Sequence, residues 1–333
     1  MLSVSTPPPR FSAGQVIDGR YELERPVGSG GMSEVWSGVH LGLGRKVALK
    51  FIRNELMGMP DRMRAEARLL SHLRHPSIVE VYDLGRLPDG TSYLTMELLD
   101  GVSLAEHARA RGGRLPVVEA VALVSRILAG LSVVHAAGIV HRDIKPENVL
   151  VTSVDDVATP KLIDFGIALS TLADAPRLTA VGSIVGTPAY LAPEQVLGAT
   201  ADATTDLWAT GVVLYELLTG EVPFGGVDMP RLFRSILEQP LAFPRDVPGL
   251  DGALFSILST ALRKDSVLRY PSARQMREAL DAWLEGKDAV EPVIPISTVR
   301  DSLARAPTPL ATSTPAEPPR SLDALIRSKL RRA

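Results

Sequence analysis

The sequence contains no cysteine among its 333 residues. Disulfide bonds, zinc sites built from thiolates and catalysis by a cysteine nucleophile are therefore excluded. The sequence also lacks an excess of charge of one sign. It has 36 Lys and Arg residues and 38 Asp and Glu residues, which gives a formal net charge of −2. Such a balance gives no electrostatic case for nucleic acid or an anionic membrane as the main partner. We therefore expect no nucleic-acid partner.

Long apolar runs are missing as well. A helix that spans a membrane needs about 18 or more consecutive apolar residues. The nearest approach is residues 117–134, which are interrupted by Glu119, Ser125, Arg126 and Ser132. Residues 1–14 lack the basic start and the apolar middle of a secretory signal. We therefore predict no transmembrane segment and a cytoplasmic location.

The apolar pattern changes near residue 100. Before it, short β-branched runs separated by glycines predict three antiparallel strands within residues 21–52, a helix at 62–73 and two further strands at 79–85 and 92–96. After it, helical spacing predicts helices at 117–134, 205–219, 230–238, 251–263 and 272–284. The pattern indicates an α+β fold with a small antiparallel β-sheet lobe at residues 15–98 and a larger, mainly helical lobe at 99–284.

The two ends of the chain have a different composition. Three consecutive prolines at 7–9 predict a disordered arm over residues 1–14, because such a segment has little to bury. Residues 285–320 are rich in Pro, Ala and Thr and are predicted to be a linker. In residues 321–333, Leu322, Leu325, Ile326 and Leu330 fall at helical spacing among basic residues. We expect a short basic amphipathic tail, too short to be a stable helix alone.

The strongest chemical signal is the eight-residue run HRDIKPEN at 141–148, followed by Asp164, Phe165 and Gly166. Phosphoryl transfer from a nucleotide needs divalent ions on the phosphates and an acceptor hydroxyl aimed in line. Carboxylates and an amide at this spacing can supply a base and metal ligands. Single Asp or Asn residues are common in turns, but the complete run is highly specific.

This run resembles the catalytic segment of the eukaryotic-like protein kinases, and specifically of the bacterial serine/threonine kinases. The resemblance implies a bilobal protein-kinase fold over residues 15–284. It also implies that Asp143 accepts the proton of the acceptor hydroxyl and that Lys145 steadies the transferred group. Asn148 and Asp164 would bind Mg²⁺, with Mn²⁺ as an alternative ion. Arg142 would be a structural residue beside the base, able to bind a phosphate on a neighbouring loop.

A glycine cluster between two predicted strands is the candidate phosphate loop, since glycine lets backbone N–H groups approach phosphate oxygens. Its departure from the family pattern is Ser33, which stands in place of a third glycine. Lys50 would anchor the phosphates of ATP and pair with Glu66 on the following helix. The nucleotide-binding residues implied by the resemblance are Gly28, Ser29, Gly30, Gly31, Met32, Ser33, Val35, Ala48, Lys50, Met96, Glu97 and Leu99. Among them Met96 would gate the pocket, and the backbone of Glu97 and Leu99 would contact adenine.

Three segments farther along the chain, 186–194, 206–211 and 263–270, match the family in order. Residues 186–194 resemble the segment that closes the activation loop and forms the substrate groove. Glu194 at its end would pair with Arg269, and Asp206 would hold the catalytic loop. Thr179 and Ser183 lie in the activation loop and are candidates for autophosphorylation between transiently associated molecules.

Three functions remain to be weighed. A serine/threonine protein kinase is favoured because Lys145 is typical of that acceptor class, and its partners would be ATP and proteins with Ser or Thr hydroxyls. A nucleotide-binding scaffold without catalysis typically lacks the base, the metal-binding Asp or the strand lysine, and Asp143, Asp164 and Lys50 are all present. A small-molecule phosphotransferase generally lacks the Ala-Pro-Glu element found at 192–194. A P-loop ATPase is disfavoured because its Gly-x-x-x-x-Gly-Lys-Ser/Thr motif does not occur.

Overall fold

The computed structural model describes residues 10–29, 33–52, 61–154, 157–165, 188–244 and 246–286. The chain divides into two compact units. Of the described residues, those up to Leu73 together with Val79–Leu99 form the small unit, and Arg74–Ile78 together with those from Asp100 to residue 286 form the large unit. The predicted tail at 321–333, residues 1–9 of the predicted arm and all but the first two residues of the predicted linker lie outside the described residues.

The small unit is built on a six-stranded antiparallel sheet with the order β1-β2-β3-β4-β6-β5. Its elements, in chain order, are β1 (Val16–Ile17), β2 (Tyr21–Ser29), β3 (Ser33–His40), β4 (Arg45–Ile52), helix α1 (Asp61–His72), β5 (Val81–Arg86) and β6 (Ser92–Glu97). The three-strand meander, the helix and the two later strands predicted from the sequence are therefore confirmed. The short strand β1 was not predicted.

Aromatic and aliphatic side chains from alternate strand positions form the core of this unit. Alternation is expected because successive side chains of a strand point to opposite faces of the sheet. The core cluster consists of Phe11, Ile17, Tyr21, Leu23, Trp36, Val47, Leu49, Phe51 and Tyr93. Strand β4 lies between β3 and β6, so its backbone is hydrogen-bonded on both sides.

The chain enters this core earlier than the sequence predicted. Phe11 is 4% exposed, and its ring stacks on that of Phe51 with centroids 4.0 Å apart. The Arg10 guanidinium lies 2.6 Å from the Asp89 carboxylate. Hydrogen bonds from Thr91 and Arg10 lower the pKa of Asp89 to about 2. The start of the small lobe, predicted at residue 15, is therefore too late. The proline-rich composition suggested disorder, although Phe11 packs in the core and Arg10 forms an ion pair with Asp89.

The large unit contains seven helices among its described residues and a small antiparallel sheet. The sheet has the order β7-β8-β9. The elements are β7 (Gly101–Ser103), α2 (Leu104–Arg109), α3 (Val117–Ala136), β8 (Val149–Val154), β9 (Val157–Leu162), α4 (Pro193–Val196), α5 (Ala203–Thr219), α6 (Met229–Glu238), α7 (Gly252–Ala261) and α8 (Ala273–Glu285). The five helices predicted from periodicity are confirmed, with ends within about two residues. The sheet and the short helices α2 and α4 were not predicted.

Side-chain caps explain where several of these helices begin. The carboxylates of Asp202, Asp228 and Asp251 accept backbone N–H bonds at the starts of α5, α6 and α7, and the Ser272 hydroxyl does the same for α8. Such bonds satisfy N–H groups that have no partner within the helix. Helix α5 ends at Gly220, whose φ of 84° is the left-handed conformation that glycine adopts readily.

Helix α3 forms the centre of the large unit. Of the described helices it is the one that is long and apolar enough to cross a membrane by length and composition. Its residues Val121, Val124, Leu128 and Leu131 are fully buried. The helix packs against α8, β9 and α5. Its apolar composition is therefore accounted for by burial within this unit.

Residues 74–78 depart from the predicted lobe boundary. They were assigned to the small lobe, but they belong to the large unit. The N–H of Leu162 donates to the carbonyl of Ser77 at 2.9 Å, and Ile78 forms a parallel bridge with Leu162. Gly130 of α3 allows this approach, since a Cβ atom there would lie 3.0 Å from the Ser77 carbonyl oxygen.

The Phe11 anchor generates a test of the corrected boundary. Replacing a buried Phe by Ala costs about 3–5 kcal/mol when the cavity does not collapse. We expect Phe11→Ala to lower the denaturant midpoint of the small unit strongly, as followed by Trp36 fluorescence. The matched control is Leu43→Ala, because Leu43 is 73% exposed. That control should shift stability by less than about 0.5 kcal/mol. Equal midpoints for the two variants would contradict the anchor.

Candidate active site

The backbone of residues 141 and 142 is held by a carboxylate on α5. The N–H groups of His141 and Arg142 donate to the two oxygens of Asp206, each at 2.8 Å. Asp206 is 1% exposed, and the His135 ring donates to it as well, at 2.8 Å. Arg142 has a φ of 67°, which is rare for a residue with a side chain. The buried carboxylate thus holds a strained backbone immediately before Asp143.

The ring of His141 connects this loop to residues 163–165. Its Nε2 donates to the carbonyl of Ile163 at 3.0 Å, and its ring packs 4.6 Å from that of Phe165. Its Nδ1 accepts the N–H of Asp143 at 3.4 Å. Burial lowers the pKa of His141, which agrees with a neutral ring that donates through Nε2 and accepts through Nδ1. Asp164, between the two contacts, has a φ of 55°.

The candidate base Asp143 lies beside Lys145 and Asn148, two other residues of the predicted site. Lys145 Nζ lies 2.9 Å from Asp143 Oδ2, and Asn148 Nδ2 lies 2.7 Å from the same oxygen. Asn148 also donates to the Asp143 carbonyl at 2.8 Å. The Asp143 side chain is 31% exposed and that of Lys145 is 15% exposed. An accessible carboxylate and a half-buried cation therefore share one small region of the loop.

Asn148 and Asp164 are the predicted metal ligands. Asn148 is 7% exposed and ends the 3₁₀ turn Pro146–Asn148. Its carbonyl accepts the N–H of Ile163 at 3.0 Å, which places the residue next to Asp164 in the fold. Because its amide nitrogen donates to Asp143, its Oδ1 is the atom left to meet a cation. Two protein oxygens fit Mg²⁺, which completes its shell with phosphate oxygens and water.

Arg142 itself is half-buried and has interactions of its own within the structure. The predicted phosphorylation sites of the activation loop, Thr179 and Ser183, lie outside the described residues.

Lys50 lies on the central strand of the small unit. It is paired with Val35 on β3 and with Leu94 on β6. Lys50 and Glu66 are both half-buried, and each has interactions within the structure. Two strand positions before Lys50, Ala48 is 6% exposed and pairs with Met96.

The remaining predicted nucleotide-binding residues of this unit lie on strand ends and connections. Gly28 pairs with Val35, and Ser29 pairs with Glu34, so β2 and β3 form a hairpin. Ser33 opens β3, whereas Gly30, Gly31 and Met32 lie outside the described residues. The N–H of Glu97 donates to the carbonyl of Glu80 at 2.9 Å. Leu99 is half-buried at the end of the unit.

Glu194 and Arg269 form a buried bidentate ion pair. Arg269 Nη1 lies 2.8 Å from Glu194 Oε1, and Nη2 lies 2.7 Å from Oε2. Arg269 is 4% exposed, and the Thr205 hydroxyl also donates to Glu194, at 2.8 Å. The other guanidinium N–H groups donate to the carbonyls of residues 204, 263 and 264. The pair is therefore fully hydrogen-bonded, as a buried ion pair must be to be tolerated.

Two further polar contacts near this site were not predicted from the sequence. The Tyr190 hydroxyl donates to Glu216 at 2.6 Å, and burial raises the pKa of both groups. His135 joins the buried carboxylate of Asp206. Polar residues inside otherwise apolar helical patterns, such as His135 in α3 and Glu216 in α5, were the available signal. Such a pattern indicates a buried polar contact but does not identify its partner.

Comparisons with known proteins agree with one another. A family model described as protein kinase domain matches residues 21–278. The chain is 39% identical over 285 residues to the serine/threonine-protein kinase pkn2 of Myxococcus xanthus, which covers 83% of this chain and 34% of that protein. It is 38% identical over 287 residues to the serine/threonine-protein kinase PknA of Mycobacterium tuberculosis, covering 84% and 64%. The chain thus spans about one third to two thirds of the length of these relatives.

A solved structure supports the same assignment. The PknI kinase domain of Mycobacterium tuberculosis superposes with a TM-score of 0.63 and 29% sequence identity. The match covers 82% of this chain and 99% of that chain.

The neutral, buried His141 generates a pH prediction. Its pKa is lowered in the folded state, whereas in the unfolded state it is near the ordinary value of about 6.5. The unfolded chain therefore takes up a proton below pH 6.5 that the folded chain does not. We expect the free energy of unfolding to fall as the pH drops through 6.5, by at most about 1.4 kcal/mol per pH unit from this group.

Denaturation midpoints between pH 5 and pH 8 measure this dependence. His141→Gln keeps a donor and an acceptor but cannot titrate, so its stability should change less with pH over this range. The control is His72→Gln, because His72 is exposed. A His141→Gln variant with the pH slope of the unsubstituted protein would show that His141 does not carry the effect.

Proposed function

Since this chain belongs to the protein kinase family, we propose that it is an ATP-dependent protein kinase that phosphorylates Ser and Thr hydroxyls of other proteins. The observation that carries the proposal is the convergence of Lys145 Nζ and Asn148 Nδ2 on one oxygen of Asp143. A base, a cation for the transferred group and a metal ligand are the parts that phosphoryl transfer requires.

Each residue has one task in this proposal. Asp143 accepts the proton of the acceptor hydroxyl as the oxygen attacks the γ-phosphorus, the bond from this phosphorus to the β,γ-bridging oxygen breaks, and ADP leaves with that oxygen. Lys145 stabilises the charge on the transferred group. Asn148 and Asp164 would hold Mg²⁺, which when bound would neutralise charge on the phosphates. Lys50 binds the phosphates of ATP. The dependence on ATP also favours the cytoplasm as the location of the reaction.

The acceptor class is inferred from two features. Lys145, two residues after the base, is typical of kinases that act on Ser and Thr, and pkn2 and PknA are both named serine/threonine-protein kinases. A protein acceptor is favoured over a small molecule by the Ala-Pro-Glu element at 192–194. The buried ion pair of Glu194 and Arg269 supports the Ala-Pro-Glu element. A small-molecule phosphotransferase does not need this element.

Substitution of the base and of the phosphate anchor tests this function. Asp143→Asn should retain ATP binding, measured by calorimetry with Mg²⁺, and should lower kcat on casein by about 10³-fold or more. Lys50→Met should also abolish transfer. The matched control is Lys46→Met, because Lys46 lies on the same strand with a 68% exposed side chain. Near-normal turnover by Asp143→Asn would contradict the proposed mechanism.

We further propose that phosphorylation of Thr179 and Ser183 regulates the enzyme. A phosphate adds nearly two negative charges and can order a loop through charge-assisted hydrogen bonds with arginine. Phosphorylation between transiently associated molecules is the expected route, so its initial rate should rise with the square of enzyme concentration.

Mass spectrometry after incubation with ATP and Mg²⁺ measures this modification. The loop of the unsubstituted protein should become phosphorylated. The loop of the Asp143→Asn variant, when that variant is incubated by itself, should not. Thr179→Ala/Ser183→Ala should lower kcat on casein while ATP affinity is retained. Full activity of that double variant, or of protein lacking loop phosphate, would rule out the switch.

A further inference from the structure

Lys264 places a positive charge at the end of α6. Its Nζ lies 2.7 Å from the carbonyl oxygen of Ile236 and 3.3 Å from that of Ser235. Both carbonyls belong to the last turn of α6, and the Ser235 carbonyl also accepts the N–H of Gln239 at 3.0 Å. The last carbonyls of a helix have few partners within the helix itself. The negative end of the helix dipole also lies there, so an ammonium group is well suited to this position.

Two stacked aromatic rings form the other side of the lysine site. Lys264 Nζ lies 3.4 Å from the centroid of Phe224 and 5.0 Å from that of Trp208. The two rings are stacked, with centroids 5.3 Å apart, and both residues are fully buried. Because the face of an aromatic ring attracts cations, this pair favours the charged side chain.

The charged form of Lys264 is subject to opposing influences. Burial and the neighbouring Arg269 lower its pKa to about 7. The carbonyl oxygens of α6 and the ring of Phe224 act in the opposite direction, since both are complementary to an ammonium group. These contacts depend on charge and donors, which an apolar side chain of similar length does not supply.

The same residue is joined through its backbone to the ion pair of α4. Arg269 Nη2 donates to the Lys264 carbonyl at 3.4 Å, and the same nitrogen binds Glu194 at 2.7 Å. The Arg269 guanidinium also lies 5.0 Å from the ring of Trp208, the residue shared with Lys264. Helices α4 and α6 are in direct contact as well. Two cations around one tryptophan therefore connect the end of α6 to Glu194.

We propose that Lys264 is a positioning residue that couples α6 to α4, and thereby supports the segment 188–192 that precedes Glu194 in the expected substrate groove. This inference rests on the proposed kinase function. It predicts that loss of the ammonium group weakens binding of the protein acceptor while the ATP site is unaffected. If Lys264 had a purely structural role, its substitution would change only the stability of the protein, or would change the KM for casein and the KM for ATP equally.

The test uses the full chain with three substitutions. Lys264→Met removes the charge at similar length, and Lys264→Arg retains it. Arg263→Met is the matched control, because it removes a positive charge from the adjacent, exposed side chain. Initial rates are measured against casein at saturating ATP and against ATP at saturating casein.

We expect Lys264→Met to raise KM for casein about 5-fold or more while KM for ATP changes less than 2-fold. Lys264→Arg should restore most of the casein affinity, and Arg263→Met should resemble the unsubstituted protein. An unchanged KM for casein in Lys264→Met, or an equal rise in both KM values, would overturn the inference.

Hydrogen exchange provides a readout that does not depend on activity. Lys264→Met should speed exchange in peptides covering 229–239 and 193–197 but not in α8, and unchanged exchange at 193–197 would overturn the coupling. If Lys264→Met does not fold, Phe224→Leu replaces it, because this substitution removes the ring beneath the ammonium group. The same changes in KM and in hydrogen exchange are then expected of Phe224→Leu. If the unsubstituted protein transfers no phosphate to casein, the proposed function fails, and exchange alone then decides whether Lys264 couples the helices.

Discussion

The buried carboxylate of Asp206 is the group on which the candidate active site depends. A carboxylate removed from water is stable only when donors replace its hydration. Here the donors are the His135 ring and the backbone N–H groups of His141 and Arg142. Arg142 has a left-handed backbone conformation, which costs on the order of 1–3 kcal/mol without such support. The position of Asp143 therefore follows from the position of α5 in the core of the large unit.

Helix α5 serves more than one part of the molecule. Asp206 holds the backbone of residues 141 and 142, Trp208 lies against Lys264 and Arg269, and Glu216 accepts the Tyr190 hydroxyl. These three residues point in different directions from one buried helix. The apolar residues of α5 fix the helix in the core. The polar residues on its other faces are therefore held in fixed positions relative to one another. This arrangement explains why strongly polar residues occur in an otherwise hydrophobic segment.

Local patterns in the sequence predicted the secondary structure where the chain itself carries the cause. Helical periodicity placed α3, α5, α6, α7 and α8 within about two residues of their ends, and alternation placed the strands β2 to β6. The failures have a different origin. Phe11 lies next to a proline-rich arm, so its composition suggested disorder, while its stacking on Phe51 is a contact between residues far apart in sequence. Residues 74–78 were likewise assigned by proximity to α1, although their partners lie in β9 and α3.

The sequence alone determined the family and the fold class and predicted the residues of the candidate active site, because HRDIKPEN and the residues after it specify chemical types at fixed spacing. It could not determine which distant groups meet. His141 and Asp206 are 65 positions apart, and Glu194 and Arg269 are 75 apart, so their contacts exist only after the helices have packed. Tertiary structure also decided the surroundings of Lys264, whose sequence neighbours give no indication of the two rings and two carbonyls around it. Residue types are encoded locally, whereas burial, strain and charge pairing depend on the packing of the whole unit, which brings remote segments together and removes water from between them.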